Sequence, residues 1–354
     1  MEYILNTFRN LFLWGAVTVL FTVFSTMRAL SDDQSPTVMI PDVLIYSEPD
    51  SDDAAAVLVV DKRRQLILRY VFDSEWREMQ RWPCSTGKAA GPKRIEGDQK
   101  TPEGLYFITR NVGHPYLTET YGSRALVLDY PNAIDRRHGR TGGNIWLHGT
   151  NKPLRERDSN GCVVLANSDI DALAGRVQLQ RTPVIIVDRL EWWSQREAAD
   201  TAAVLLNQLQ RWQDALLGDS YDRFRHWYAG SAVPTQQWWQ TWCRLRQNYA
   251  VDASALKSQI RSAVIYRHQG IIVIMFEHDF NVAQRRVPAG RRKLSLRMVN
   301  QRVRIIEDTY YGGPEAAEPA SGEEPLFAAW RRLWRYRDGN DTSFKQSDLE
   351  DHDT

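Results

Sequence analysis

The sequence predicts a mainly β domain followed by an α+β domain, and three observations carry that reading. Between Val57 and Asp188, short runs of Val, Ile, Leu and Tyr alternate with turns rich in Gly, Pro, Asn and Asp, the punctuation of a compact β-rich fold. From Glu191 the apolar period becomes helical, and nine of the thirteen Trp lie beyond that point. Four β-patterned segments then follow the helices, an α+β order. A length of 354 residues exceeds the usual single-domain size and leaves room for both.

Taken in order, the chain opens with Arg9 and an apolar run from Leu11 to Phe24. That length suits a signal-peptide core and falls short of the ~20 residues that span a bilayer. Met27 and Arg28 interrupt any small-x-small cleavage pattern, so residues 1–30 read as a signal peptide or a membrane anchor. Either exports the rest of the chain. Residues 31–56 are rich in Ser, Asp and Pro apart from a short apolar patch at Val43 to Tyr46, and they read as a linker between the N-terminal segment and the folded chain.

Val57 to Val60 and Leu66 to Tyr70 flank the charged turn Asp61-Lys62-Arg63-Arg64, a hairpin signal. Glu75 to Trp82, Gly104 to Thr109 and Ala125 to Tyr130 read as strands, with a glycine- and charge-rich loop from Gly87 to Lys100. Ser168 to Arg176 reads as a helix with Ser168 as N-cap, and Pro183 to Asp188 closes the domain as a strand.

Residues 191–217, 220–229 and 235–249 then read as helices, separated by Gly218-Asp219 and by Gly230 to Pro234. Gln259 to His268, Ile271 to Val282, Leu294 to Val299 and Val303 to Tyr311 read as strands. Trp238, Trp239 and Trp242 have helical spacing and read as core; the basic set Arg285, Arg286, Arg291, Arg292 and Lys293 reads as a solvated hairpin. The resulting domains are 57–188 and 189–312, with a polar, mostly disordered tail over 313–354.

A formal net charge of +1 argues against nucleic acid as a partner. Three Cys leave one unpaired under any pairing; Cys162 is taken as the free one, and a disulfide between Cys84 and Cys243 stays open beside their reading as small buried hydrophobes. His148 leaves the apolar run Asn144 to Leu147, and Ser159-Asn160-Gly161-Cys162 enters another from Val163 to Ala166. A Cys where a loop enters a strand, with an imidazole nearby and free backbone N–H groups, has the requirements of a thiolate nucleophile. His148 is then the general base and acid, and a carbonyl in the Gly149-Thr150 loop its orienting group. Gly161 admits close backbone approach, so the N–H groups of Gly161 and Cys162 are the expected oxyanion donors. Ser159 is expected to bond the imidazole or the acceptor, with turn-making as the alternative for Ser159 and Asn160. The spacings of His114, His138, His148 and Cys162 match no common zinc pattern, so neither a metal nor another cofactor is expected.

With Asp61-Lys62-Arg63-Arg64-Gln65-Leu66, Cys84-Ser85-Thr86-Gly87-Lys88 and the stretch Gly97-Asp98-Gln99-Lys100-Thr101-Pro102-Glu103-Gly104, these residues resemble the L,D-transpeptidase catalytic domain family (YkuD-type) over roughly 57–188. Asn160 stands where that family more often has a second His. The resemblance implies a β-sandwich, a periplasmic or cell-envelope location with a tether to the inner membrane, and peptidoglycan stem peptides as partners. It implies 3→3 cross-linking through a Cys162 thioester, with L,D-carboxypeptidase trimming or a non-catalytic wall-binding scaffold as alternatives. Its topology would bring Tyr130, Arg94 and His138 to the substrate cleft. Residues 189–312 resemble, more loosely, cone-shaped nuclear transport factor 2-like domains.

Overall fold

A computed structural model describes residues 38–48, 56–249, 256–282, 285–299 and 302–310. The expected export segment (1–30) and polar tail (313–354) lie outside the described residues. The first strands are β1 (Met39–Pro41), β2 (Leu44–Ser47), β3 (Ala56–Asp61), β4 (Leu66–Asp73), β5 (Glu75–Pro83), β6 (Gly104–Gly113), β7 (Arg124–Leu128), β8 (Trp146–His148), β9 (Val163–Val164) and β10 (Pro183–Val187). Two helices fall among them, α1 (Ala133–Arg137) and α2 (Asn167–Ala174). Then come β11 (Trp192–Ser194), α3 (Gln195–Leu217), α4 (Tyr221–Arg225), α5 (Gln236–Tyr249), β12 (Leu256–His268), β13 (Ile271–Val282), β14 (Arg285–Val299) and β15 (Arg302–Tyr310). The protein is mainly β.

The first half forms an eight-stranded sheet in the order β5-β4-β3-β10-β6-β7-β8-β9. Its central strands β3 and β10 run parallel and are apolar at nearly every position, because both faces are covered. Leu58, Val60, Val184 and Ile186 pack with Leu147, Val163, Ile170 and Leu173 in one core. Val57, Val59, Ile185 and Val187 point the other way, into a core shared with the second half.

That second half is a five-stranded antiparallel sheet, β15-β14-β13-β12-β2, under three helices. The Ser194–Glu197 capping box starts α3, whose buried Ala198, Ala202, Leu205, Leu209, Trp212 and Leu216 recur at helical spacing. Trp238, Trp239 and Trp242 of α5 are core residues. Gln269 and Gly270 both take positive φ, the twist that a two-residue hairpin between β12 and β13 requires.

Two expectations are corrected and one open question, the disulfide, is decided. The 31–56 linker is not all tether: β1 pairs with β11, and β2 extends the second sheet by pairing with β12, with Ile40, Val43, Leu44 and Ile45 buried. Average composition concealed this because the pairing partners lie about 150 to 220 residues further on. The basic hairpin is not solvated in its described side chains. Arg292 is fully buried on Asp308 at 2.7 and 2.8 Å, Lys293 pairs with Glu307, and Arg291 pairs with Glu277. All three Cys are free thiols; Cys84 is buried, whereas Cys243 is only half-buried.

Candidate active site

The parallel pairing of β8 with β9 sets the geometry, with Leu147 opposite Val163 and His148 opposite Val164. Cys162 immediately precedes β9, and continuing the register by one residue sets it opposite Trp146, whose backbone N–H bonds the sulfur. Side chains alternate along a strand, so His148 and Cys162 share a face of the sheet. Strand spacing and rise separate their Cα atoms by about 8 Å, within reach of an imidazole and a thiol turned toward each other.

The ring of His148 is fixed by its own loop. Its Nδ1–H donates to the Gly149 carbonyl at 2.7 Å, and Tyr121 meets it edge-on at 5.0 Å between ring centres. This bond selects the tautomer that leaves Nε2 as the acceptor, and Nε2 has no hydrogen-bond partner among the described residues. Burial lowers the His148 pKa, partly offset by the Gly149 bond, so the imidazole is neutral and basic at neutral pH. Burial likewise raises the Cys162 pKa, against the Trp146 backbone bond and the nearby charge of Lys93. The resting pair is thiol and imidazole, and the thiol donates to the Asn144 carbonyl at 3.4 Å. Attack therefore requires proton transfer to a base.

The turn that delivers Cys162 is closed by Ser159, whose hydroxyl donates to the Cys162 carbonyl at 2.6 Å and accepts from the Gly161 N–H at 3.1 Å. Ser159 is thus the turn-maker rather than a partner of the imidazole. The Gly161 N–H is engaged by that hydroxyl and is not a free oxyanion donor; the Cys162 N–H carries no hydrogen bond among the described residues. Gly161 sits at φ +133, where an added Cβ would lie 2.9 Å from the Lys100 carbonyl. Its own carbonyl accepts from the Thr101 hydroxyl at 2.9 Å, clamping the turn to the loop before β6.

Asn160 is exposed, two positions before Cys162. Gly149 contributes the orienting carbonyl, and a side chain there would meet Asn167 Oδ1 at 2.3 Å. Of the three residues expected at the cleft, Tyr130 is buried, its hydroxyl donating to the Thr141 carbonyl and so pinning the loop that leads to Asn144. Arg94 is exposed on the 91–100 loop, and its carbonyl accepts from the Thr141 N–H. His138 lies elsewhere, at the junction of the two halves near Arg297. The 91–100 loop does adjoin the Cys162 turn, through Lys93 and Lys100, whereas the His138 segment does not.

Sequence reasoning missed Lys93 and Asp98. Lys93 is buried, with Nζ donating to Asp98 Oδ1 at 2.8 Å and to the Ile95 carbonyl at 3.0 Å. Asp98 also accepts from the backbone N–H groups of Arg94, Ile95 and Lys100, and its pKa falls to about 2. The whole 91–100 loop folds around this pair. Its only signal was a lysine in a glycine-rich charge run, which resembles any solvated loop. No group of three or more His, Cys, Asp or Glu is placed to hold a metal among the described residues.

Residues 55–186 match the family model of the L,D-transpeptidase catalytic domain (YkuD). A 90-residue stretch is 34% identical to the Escherichia coli protein named "Putative L,D-transpeptidase YafK", covering 25% of this chain and 33% of that protein. The chain spans about a third of the length of the curated relatives it matches. Among solved structures, Bd1075 of Bdellovibrio bacteriovorus aligns over 79% of this chain and 100% of its own, with a TM-score of 0.67 and 22% identity. The helical cell shape determining protein Pgp2 of Campylobacter jejuni aligns over 76% and 95%, with a TM-score of 0.58 and 22% identity. Both show a common fold that extends beyond the catalytic segment.

Proposed function

We propose, from an L,D-transpeptidase catalytic domain over residues 55–186, that this chain is an exported cysteine acyltransferase acting on peptidoglycan stem peptides. One observation carries the reading: the β8–β9 register puts a thiol and a correctly protonated imidazole on one sheet face. Nε2 of His148 takes the Cys162 proton, and the thiolate attacks the carbonyl between the third and fourth residues of a tetrapeptide stem. The Cys162 N–H meets the oxyanion. Collapse breaks the C–N bond, His148 returns the proton to the leaving D-Ala amine, and a thioester remains. A diaminopimelate side-chain amine of a second stem then attacks, His148 accepts its proton, and Cys162 is released as a 3→3 cross-link forms.

Water in place of that amine gives an L,D-carboxypeptidase from the same thioester, and Asn160, standing where the family more often has a second His, favours this as the second reading. The name of Pgp2 supports a role in cell shape for either product. We further infer that residues 189–312 form a nuclear transport factor 2-like domain, and that the protein acts in the periplasm or cell envelope. Incubation with tetrapeptide muropeptides separates the readings: cross-linked dimers are expected, tripeptides would select the carboxypeptidase, and no turnover would leave only a scaffold. Cys162→Ala is expected to abolish either product.

A further inference from the structure

Where the start of β6 and α1 meet strands β12 to β14, the fold encloses a chamber of about 140 Å³. It adjoins a wider groove, with Arg267, His268 and Gln269 lining both. Neither Cys162 nor His148 lines either space.

The acids at the chamber are already engaged. Asp135 accepts from Arg140 at 2.8 Å through Oδ1 and from the Asn132 N–H at 3.1 Å through Oδ2. Glu103 accepts from Lys62 at 2.8 Å and from Gln269 at 3.0 Å, tying the two halves together. The nitrogens facing them are not matched in the same way. Nε2 of His268 is buried without a partner, an arrangement that costs desolvation energy with nothing in return. Arg297 has no carboxylate partner among the described residues; its polar contact there is a long one, 3.4 Å to His138 Nε2. The hydrogen bonds of Arg140 to Glu103 and Asp135 use only Nη1.

Donors without acceptors around a void are the complement of an oxyanion, and a guanidinium suits the planar fork of a carboxylate. Leu105, Ile134, Ile271 and Val273 add apolar wall beside them, which a bare inorganic anion would leave unmatched.

We propose that this chamber binds a small organic carboxylate, of propionate to amino-acid size, with its oxygens on Arg297, Arg140 and His268 and its carbon chain against Ile271 and Val273. Burial and the charge of Arg140 push the His268 pKa down to about 4, so the ring is neutral near pH 7, and the proposal takes the tautomer with its proton on Nε2. Two residues before Glu103, Thr101 holds the Gly161 carbonyl, so the ligand would sit one short segment from the nucleophile's turn.

Titrating the full chain with propionate by isothermal calorimetry, with inorganic phosphate in a parallel series, tests this. Saturable one-to-one propionate binding is expected, stronger than phosphate, and about tenfold or more weaker in Arg297→Gln and in His268→Leu. Thermal melts of the unliganded variants check folding, and the partly exposed Arg297 carries the test if His268→Leu does not fold. No saturable binding, equal binding of phosphate and propionate, or undiminished binding in Arg297→Gln would overturn the proposal.

Discussion

A single carbonyl decides what His148 can do. Because Gly149 O holds Nδ1–H, the lone pair sits on Nε2, and because the ring is buried its pKa lies below the ordinary 6.5. The catalytic base must be unprotonated, so activity should persist below pH 6.5 and fall only as pH drops through the lowered value. A kcat/KM profile with an acid limb at or above 6.5 would contradict this. On the alkaline side, the thiol pKa is raised above the ordinary 9, so iodoacetamide alkylation of Cys162 should still be accelerating past pH 9. Lys93 opposes that rise, so Lys93→Met should shift the alkylation profile to still higher pH, while a purely structural lysine would leave the midpoint in place. At Gly161, φ +133 and the 2.9 Å approach to Lys100 leave no room for a side chain. Gly161→Ala should cost about 1–3 kcal/mol of stability and displace Cys162, cutting turnover far more than thermal denaturation alone would suggest.

At the scale of elements, two pairings matter most. The two-residue β9 is too short to register as a strand by pattern, yet its pairing with β8 turns a fourteen-residue sequence separation into a diagonal neighbour relation. The other pairing is the strap formed by β1 and β2, which crosses to the second half before the chain returns to build the first sheet. Leu44 is fully buried there, so Leu44→Ala should destabilise by about 2–5 kcal/mol, read as a lowered midpoint in chemical denaturation. An exposed tether would show no change.

The described residues from Met39 onward pack as two halves around a common apolar cluster. Tyr70, Trp76 and Ile185 from the first sheet lie in one core with Trp212, Trp239 and Phe276. A chain cut after residue 188 would expose that face of β3 and β10, and it should be insoluble or bind a hydrophobic dye strongly. A well-folded, monomeric 57–188 fragment would show that the shared core is dispensable.

The sequence by itself determined the longer strands of the first half and the main helices and strands of the second, singled out Cys162 and His148 as the candidate pair, and pointed to a Gly149-loop carbonyl as the partner of the ring. These are local properties, set by apolar period, turn residues and short motifs. Only the tertiary structure decided that β1 and β2 belong to the second half, that Arg292 and Lys93 are buried in ion pairs, that Ser159 engages the Gly161 N–H, and that His138 faces the junction rather than the nucleophile. Each of these depends on a partner far away in the chain or on the direction of a side chain. Neither is encoded in the spacing of neighbouring residues; both are fixed only when distant segments pack and each buried polar group must find its complement.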